Sequence, residues 1–161
     1  MKLYPLSFSE MTAHHGLGEE ERNLPPRLLF GDYPEVVTNS GDEKEILKEL
    51  ADSYLYKDIL SLEKISKGEK MVRLLQAIAL QIGSQVSYNE LSQTVGLDTK
   101  TIEKYVDILE KCYIIFRVPS FARNLRNELK FSRKIYFYDL GIRNAVLGNF
   151  TPVELRTREE A

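Results

Sequence analysis

The stretch VSYNELSQTVGLDTKTIEKYVDILEKCYIIFRVPSF, residues 86–121, carries the densest set of structural signals in this 161-residue chain. Ser87 is followed three residues later by Glu90, which is the spacing of a capping box, and apolar residues stand on either side in the positions of a hydrophobic staple. Gly96 supplies a stop signal. The pattern predicts a short helix over residues 88–95.

The same device recurs two residues after that glycine. Asp98 predicts the start of a second helix, because its carboxylate can accept a hydrogen bond from the first turn. The apolar residues of this helix share one face: Ile102, Tyr105, Val106, Leu109 and Tyr113. Two helices joined by so tight a turn have the spacing of a helix-turn-helix.

Two β-rich runs follow, YIIFRV at 113–118 and KIYFYD at 134–139, separated by a basic segment. They predict the two strands of a hairpin with a long tip. Apolar residues at four-residue spacing in the tip also allow a short helix there: Phe121, Leu125 and Leu129. A further helix, opened by Ser66 and Glu69 and stopped by Gly83, precedes the pair. Three helices and a hairpin indicate a winged helix-turn-helix with a two-stranded β wing.

The first half predicts more helices. Ser7 and Glu10 form a capping box, and the spacing of Asp42 and Glu45 repeats it before an amphipathic helix that runs toward Leu62. The acidic segment after His14 lacks periodicity and is expected to be a loop. Two prolines then open a short helix ended by a glycine: Pro25, Pro26 and Gly31.

The predicted fold class is therefore mainly α, a helical bundle followed by a winged helix-turn-helix. We expect a helical region over residues 1–65, a winged helix domain over 66–150 and a tail over 151–161.

Charge is unevenly distributed along the chain. The net charge is −2, but residues 100–134 contain nine lysines and arginines against four acidic residues, whereas residues 1–70 contain nine against fourteen. This balance favours phosphate contacts with double-stranded DNA rather than sequence readout. The cations expected to make them are Lys100, Lys104, Lys111, Arg117, Arg123, Arg126, Lys130, Arg133 and Lys134.

Acidic residues on the same helix favour a different function. Glu103 and Asp107 share the exposed face with the lysines, and Asp107 can pair with Lys111 one turn later. A solvated face of this kind is also typical of a protein-interaction module. The alternative expectation is a coupling module whose partner is another part of a larger protein or a second copy of the chain, as in a homo-oligomer.

The residues do not predict an enzyme. SKGEKM, residues 66–71, lacks the leading glycine and the Ser/Thr of a P-loop. His14 and His15 are adjacent and cannot project to one metal from a helix, and the single cysteine, Cys112, is expected to be a small buried hydrophobe. Asp139 is expected to cap a helix that ends at Gly148. No apolar run is long enough to cross a membrane and no signal peptide is evident, so a cytoplasmic protein is expected.

Five motifs together resemble a family of prokaryotic AAA-type predicted ATPases. They are LYPLSFSEM (3–11), FGDYPEVV (30–37), SYLYKDI (53–59), SYNELSQTVGLDTKTIEKYVDILEK (87–111) and KIYFYDLGIRNAVLG (134–148). Members of that family resemble one another in having a P-loop core, a helical lid, a winged helix and a C-terminal domain. The resemblance implies that the helical region over residues 1–65 is lid-like, with an ATPase core before this chain and a C-terminal domain after it, both missing here. It also implies that the parent protein binds ATP and magnesium, with no cofactor in this chain.

Overall fold

The computed structural model describes residues 4–53, 68–118 and 133–156. The described residues contain eight α-helices and one three-stranded antiparallel sheet, which confirms the mainly α class. The chain divides into two compact units. Unit 1 is Met1–Ser53 with Tyr138–Ala161, and unit 2 is Tyr54–Phe137. These two units differ from the regions predicted from the sequence, which divided the chain after residues 65 and 150.

Unit 1 is built from helices. Its elements are α1 (Phe8–His15), α2 (Leu17–Phe30), α3 (Pro34–Thr38), α4 (Glu43–Asp52), α8 (Leu140–Leu147) and a 3₁₀ turn at Val153–Leu155. Helix α8 packs against both α2 and α4, which joins the two ends of the chain in one core. The buried apolar residues of this core are Met11, Val36, Leu47, Ala51 and Ile142.

The first capping box is confirmed. The Ser7 hydroxyl accepts a hydrogen bond from the Glu10 amide at 3.3 Å, and the Glu10 carboxylate accepts one from the Ser7 amide at 2.8 Å. The capping box predicted at Asp42 is wrong, because no side-chain bond caps α4 there. Asp42 has φ −110° and ψ 13° instead of the extended conformation that aims a capping carboxylate at the first turn.

The loop predicted after His14 is also wrong. Helix α2 begins at Leu17 and continues through Pro25 and Pro26 to Phe30. A proline inside a helix removes a hydrogen bond and costs about 3 kcal/mol. Packing of α2 against α1, α4 and α8 offsets that cost, so tertiary contacts override the local signal. The predicted stop at Gly31 is confirmed.

Unit 2 contains α5 (Gly68–Leu80), β1 (Gln85–Val86), α6 (Tyr88–Val95), α7 (Thr99–Lys111), β2 (Ile115–Val118) and β3 (Arg133–Phe137). Helix α6 packs between α5 and α7, and α7 lies against β2. One face of the sheet is buried with the helices, through Val86, Ile115, Ile135 and Phe137. Alternate residues of the strands, among them Phe116 and Tyr136, lie on the other face.

The two caps that define the helix pair are confirmed. Helix α6 has the predicted bounds, and the Ser87 hydroxyl accepts a bond from the Glu90 amide. The Asp98 carboxylate accepts one from the Thr101 amide at 3.0 Å at the start of α7. Gly96 adopts the left-handed conformation between the two helices, with φ 68° and ψ 46°.

The sheet differs from the predicted two-stranded wing. Gln85 and Val86 add a third strand, which pairs with Lys134 and Arg133 of β3, so the strand order is β1-β3-β2. The two-residue strand was missed because it is too short to show alternation. The cap at Ser66, the helix beyond Ser53 and the tip of the hairpin lie outside the described residues.

Candidate nucleic-acid interface

Helix α7 has one buried and one exposed side. The buried side carries Ile102, Tyr105, Val106, Ile108 and Leu109. Lys100, Glu103, Lys104 and Lys111 are exposed. The structure therefore leaves all three predicted lysines of this helix accessible to a polyanion, together with one carboxylate.

Arg117 occupies a different environment. Its side chain is 17% exposed, and its guanidinium forms ion pairs with Asp107 at 2.7 Å and with Glu110. It also donates a hydrogen bond to the Tyr88 hydroxyl at 3.3 Å. Burial works to lower the pKa of Arg117, but the hydrogen bonds with Glu110 and Tyr88 and the charges of those two groups together outweigh burial and raise that pKa. Arg117 thus joins β2 to α6 and α7, and its charge is already matched by two carboxylates.

The same contacts change the role of Asp107. From the sequence, this carboxylate was expected to face phosphates unfavourably and to pair with Lys111. In the structure it pairs with Arg117. The Asp107 carboxylate, whose side chain is 43% exposed, is therefore compensated by a cation of the fold, and Glu103 is a further exposed carboxylate of α7.

Two predicted cations lie at the start of β3. Arg133 and Lys134 are both exposed, and they pair with β1 at Val86 and Gln85. Burial works to raise the pKa of Glu110, but hydrogen bonds from Arg117 and the charge of Arg133 hold it below its ordinary value. The remaining predicted cations lie outside the described residues: Arg123, Arg126 and Lys130.

Sequence reasoning missed one lysine contact in unit 2. The Lys70 ammonium of α5 donates a hydrogen bond to the Gly96 carbonyl, at the turn between α6 and α7. A lysine that donates to a helix-terminal carbonyl fixes the turn and neutralises its partial negative charge. Lys70 therefore helps to hold α7 in place and is not one of the lysines on the exposed side of that helix.

A buried polar cluster in unit 1 was also missed. Glu20 is 1% exposed, and its carboxylate lies 2.9 Å from His15 Nδ1 and 3.1 Å from Arg27 Nη2. The hydrogen bond from Arg27 holds the pKa of Glu20 below its ordinary value although burial opposes it. Arg27 Nε also lies 3.5 Å from the Asp32 carboxylate. The cluster was missed because the segment after His14 was predicted to be a loop. Glu20 is buried in the helix that forms there instead.

Asp139 links the two segments of unit 1, because its side chain bonds to the backbone of the N-terminal segment at Asp32. Its carboxylate accepts hydrogen bonds from the Asp32 amide at 2.8 Å and from the Ile142 amide at 2.9 Å. The predicted helix cap is confirmed. Burial raises the pKa of Asp139 to about 6, although these backbone bonds oppose the shift. A Cβ at Gly31 would lie 2.1 Å from this carboxylate, so the residue must be glycine for the contact to form.

A cavity of about 260 Å³ opens beside this cluster. Its walls combine apolar side chains with the carboxylates and guanidinium just described: Phe8, Glu20, Leu24, Arg27, Leu28, Gly31, Asp32, Tyr138, Asp139 and Leu140. Asp32 and Asp139 are far apart in the chain, and no motif in the sequence links them. Each aspartate has a glycine within two residues, in FGD at 30–32 and in DLG at 139–141, and this is the one signal in the sequence.

The described residues contain neither a membrane-spanning helix nor a cluster of metal-ligating side chains. Across residues 4–53, 68–118 and 133–156, no helix has the length and apolar character required to cross a bilayer. In that same part of the chain, no three His, Cys, Asp or Glu side chains are grouped so that they could hold a metal ion.

Comparisons with known proteins give relatives without assigned functions. The chain is 26% identical to an uncharacterised protein of Haemophilus influenzae over 159 residues, which cover 92% of this chain and 40% of that protein. It is 25% and 24% identical to two uncharacterised proteins of Methanocaldococcus jannaschii, with 78% and 98% of this chain matched to 27% and 41% of theirs. The chain therefore spans less than half the length of these curated relatives. No solved structure matches the chain.

The resemblance to AAA-type ATPases is wrong. The family that matches has no assigned function, and the implied ATPase core, ATP and magnesium lose their basis with the resemblance. Several of the motifs that suggested it perform structural tasks, including the cap at Ser7, the glycine contact at Gly31 and the cap at Asp139. Residues 21–153 match the family described as "Domain of unknown function (DUF8612)", and the chain belongs to that family.

Proposed function

We propose that unit 2 is a winged helix that binds duplex DNA through phosphate contacts. The order of its elements supports this proposal: helix, strand, helix, helix, strand, strand, with the first strand at one edge of an antiparallel sheet. In DNA-binding helix-turn-helix proteins, the second helix of the pair enters the major groove. Helix α7 would take that role here, with the hairpin as the wing.

The observation that carries the proposal is the exposure of Lys100, Lys104 and Lys111 on α7. The pairing of Asp107 with Arg117 reduces the acidic character of the same helix. Lys134, which is exposed on β3, is a further cation of the proposed wing, whereas Arg117 is assigned to the fold. Lysines act as point charges toward phosphates, so the proposed binding has little sequence specificity.

Fluorescence anisotropy with a random-sequence duplex tests the proposal. The double variant Lys100→Gln with Lys104→Gln is expected to bind about tenfold or more weakly at low salt, since each lost phosphate contact removes a favourable counterion-release term. Lys48→Gln is the matched control, because Lys48 is an exposed lysine of α4 in unit 1. Equal affinities for the wild type and the double variant would refute the assignment of α7.

Exposed apolar residues of unit 2 favour a second candidate, a protein-interaction module. Leu80 is 66% exposed at the end of α5, and Val118 is 38% exposed at the end of β2. An exposed aliphatic side chain gains free energy when another protein covers it, because its apolar surface leaves water. If the chain does not bind duplex DNA even at low salt, while Leu80→Ser converts a dimer to a monomer in analytical ultracentrifugation, this second function replaces the first.

A further inference from the structure

The cavity of unit 1 has an apolar rim that remains exposed. Phe8 is 49% exposed, Leu24 is 46% exposed and Tyr138 is 36% exposed, and all three line the cavity. Tyr4, 45% exposed, extends this rim, because its ring centroid lies 5.8 Å from that of Tyr138. Large apolar side chains grouped around an opening are unfavourable in water and become favourable when another apolar surface covers them.

The floor of the cavity has an excess of negative charge. Three carboxylates line it, those of Glu20, Asp32 and Asp139, against the single guanidinium of Arg27. Glu20 is held by His15 and Arg27, and Asp139 is held by two backbone amides.

The Asp32 carboxylate is the member of this group with capacity for a ligand. Its side chain is 32% exposed, and Arg27 Nε lies 3.5 Å away, a long contact for an ion pair. Burial raises the pKa of Asp32 although the charge of Arg27 opposes the shift, and the charge of Glu20 adds to it. A carboxylate in this state is stabilised by any further cation that reaches it.

We propose that this cavity binds an arginine side chain presented by a partner protein, with the guanidinium at Asp32 and the aliphatic stem against Phe8, Leu24 and Tyr138. This binding site goes beyond the proposed DNA-binding function and uses residues of unit 1 alone.

Charge complementarity selects the occupant. A purely apolar side chain would cover the rim but leave the Asp32 carboxylate without a new partner. An anion would be repelled by the three carboxylates. Arginine combines an apolar stem with a planar, weakly hydrated cation that donates two parallel hydrogen bonds to a carboxylate and stacks on aromatic rings such as Tyr138.

The experiment is a titration of the full chain with N-acetyl-arginine amide, followed by amide NMR shifts. We expect saturable shifts at residues 31, 32 and 139–142. N-acetyl-citrulline amide, which has nearly the same shape without the charge, is expected to bind about tenfold or more weakly. Equal binding of the two compounds, shifts confined to other residues, or no saturable shifts would each overturn the proposal.

Matched variants separate the two parts of the site. Asp32→Asn removes the charge and keeps the backbone amide that donates to Asp139, and we expect it to weaken arginine binding about tenfold. Glu35→Gln, an exposed carboxylate of α3, is its control. Leu24→Ser should weaken binding about threefold or more, whereas Leu17→Ser, 55% exposed on the same helix and outside the cavity wall, should leave it unchanged. Retained affinity in both Asp32→Asn and Leu24→Ser, with native amide spectra, would refute the site.

Discussion

Arg117 stabilises the fold, although its place in the basic part of the sequence predicted a phosphate contact. Its guanidinium reaches Asp107, Glu110 and the Tyr88 hydroxyl, so a single side chain fixes α6 and α7 to the sheet. Without it, two carboxylates three residues apart on α7 would repel each other, and a partly buried hydroxyl would lose a partner. Leaving a partly buried polar group without a partner costs more free energy than the original hydrogen bond contributes to stability.

We expect Arg117→Leu to lower the free energy of unfolding by about 1–2 kcal/mol, because it leaves these groups uncompensated. Urea denaturation followed by circular dichroism measures the effect. Lys111→Gln is the control, since it removes the same charge from an exposed position of the neighbouring helix. If the two variants are equally stable, the ion pairs of Arg117 contribute nothing measurable and its structural assignment is wrong.

Asp139 predicts a pH dependence whose sign follows from its burial. Its pKa is about 6 in the folded protein and near 3.8 in an unfolded chain, so the folded state binds more protons between these two values. The contribution of Asp139 to the free energy of unfolding therefore falls as the pH rises through that window, by about 2–3 kcal/mol at most.

Asp139→Asn removes this titration, so the stability advantage of the wild type over this variant should be smaller at pH 7 than at pH 4. Urea titrations of both proteins at the two pH values measure it. An advantage that grows with pH would mean that the amides of Asp32 and Ile142 stabilise the carboxylate more than burial destabilises it.

At the scale of elements, the helix pair α6–α7 depends on its caps. Ser87→Ala and Asp98→Ala should each lower the free energy of unfolding by about 1 kcal/mol, because each leaves a first-turn amide without its acceptor. Asp42→Ala is a matched control, since Asp42 occupies the same cap position of α4 without a side-chain bond. Equal effects of Asp42→Ala and Asp98→Ala would show that the capping bond is not what stabilises α7.

The sequence predicted the elements that are controlled by local chemistry. The bounds of α6, the start of α7 and the cap at Asp139 follow from side-chain-to-amide hydrogen bonds within four residues, and all three are confirmed. Elements decided by distant contacts were missed. Helix α2 continues through Pro25 and Pro26 because other helices pack on it, and β1 exists because it pairs with β3.

The same distinction applies to the candidate sites. Exposure of the α7 lysines could be predicted because helical periodicity places them opposite an apolar face. The partners of Arg117 could not, since they depend on how β2 lies against α7. The cavity beside Asp32 could not be predicted either, because its two aspartates are 107 residues apart.

For the whole molecule, the relevant electrostatic property is the distribution of charge. A net charge of −2 gives no general attraction to nucleic acid, so the proposed DNA binding relies on a local excess of cations, of which residues 100–134 have nine against four acidic residues. The number of phosphate contacts sets how steeply affinity for DNA falls with salt.

The most direct test of the DNA-binding claim is the salt dependence of duplex binding, compared between the wild type and the Lys100→Gln, Lys104→Gln double variant. We expect log affinity to fall linearly with log salt, and we expect the slope of the double variant to be smaller by about 2, one for each lysine removed. An unchanged slope would mean that α7 does not touch the phosphates, and the absence of binding at low salt would contradict the DNA-binding function itself.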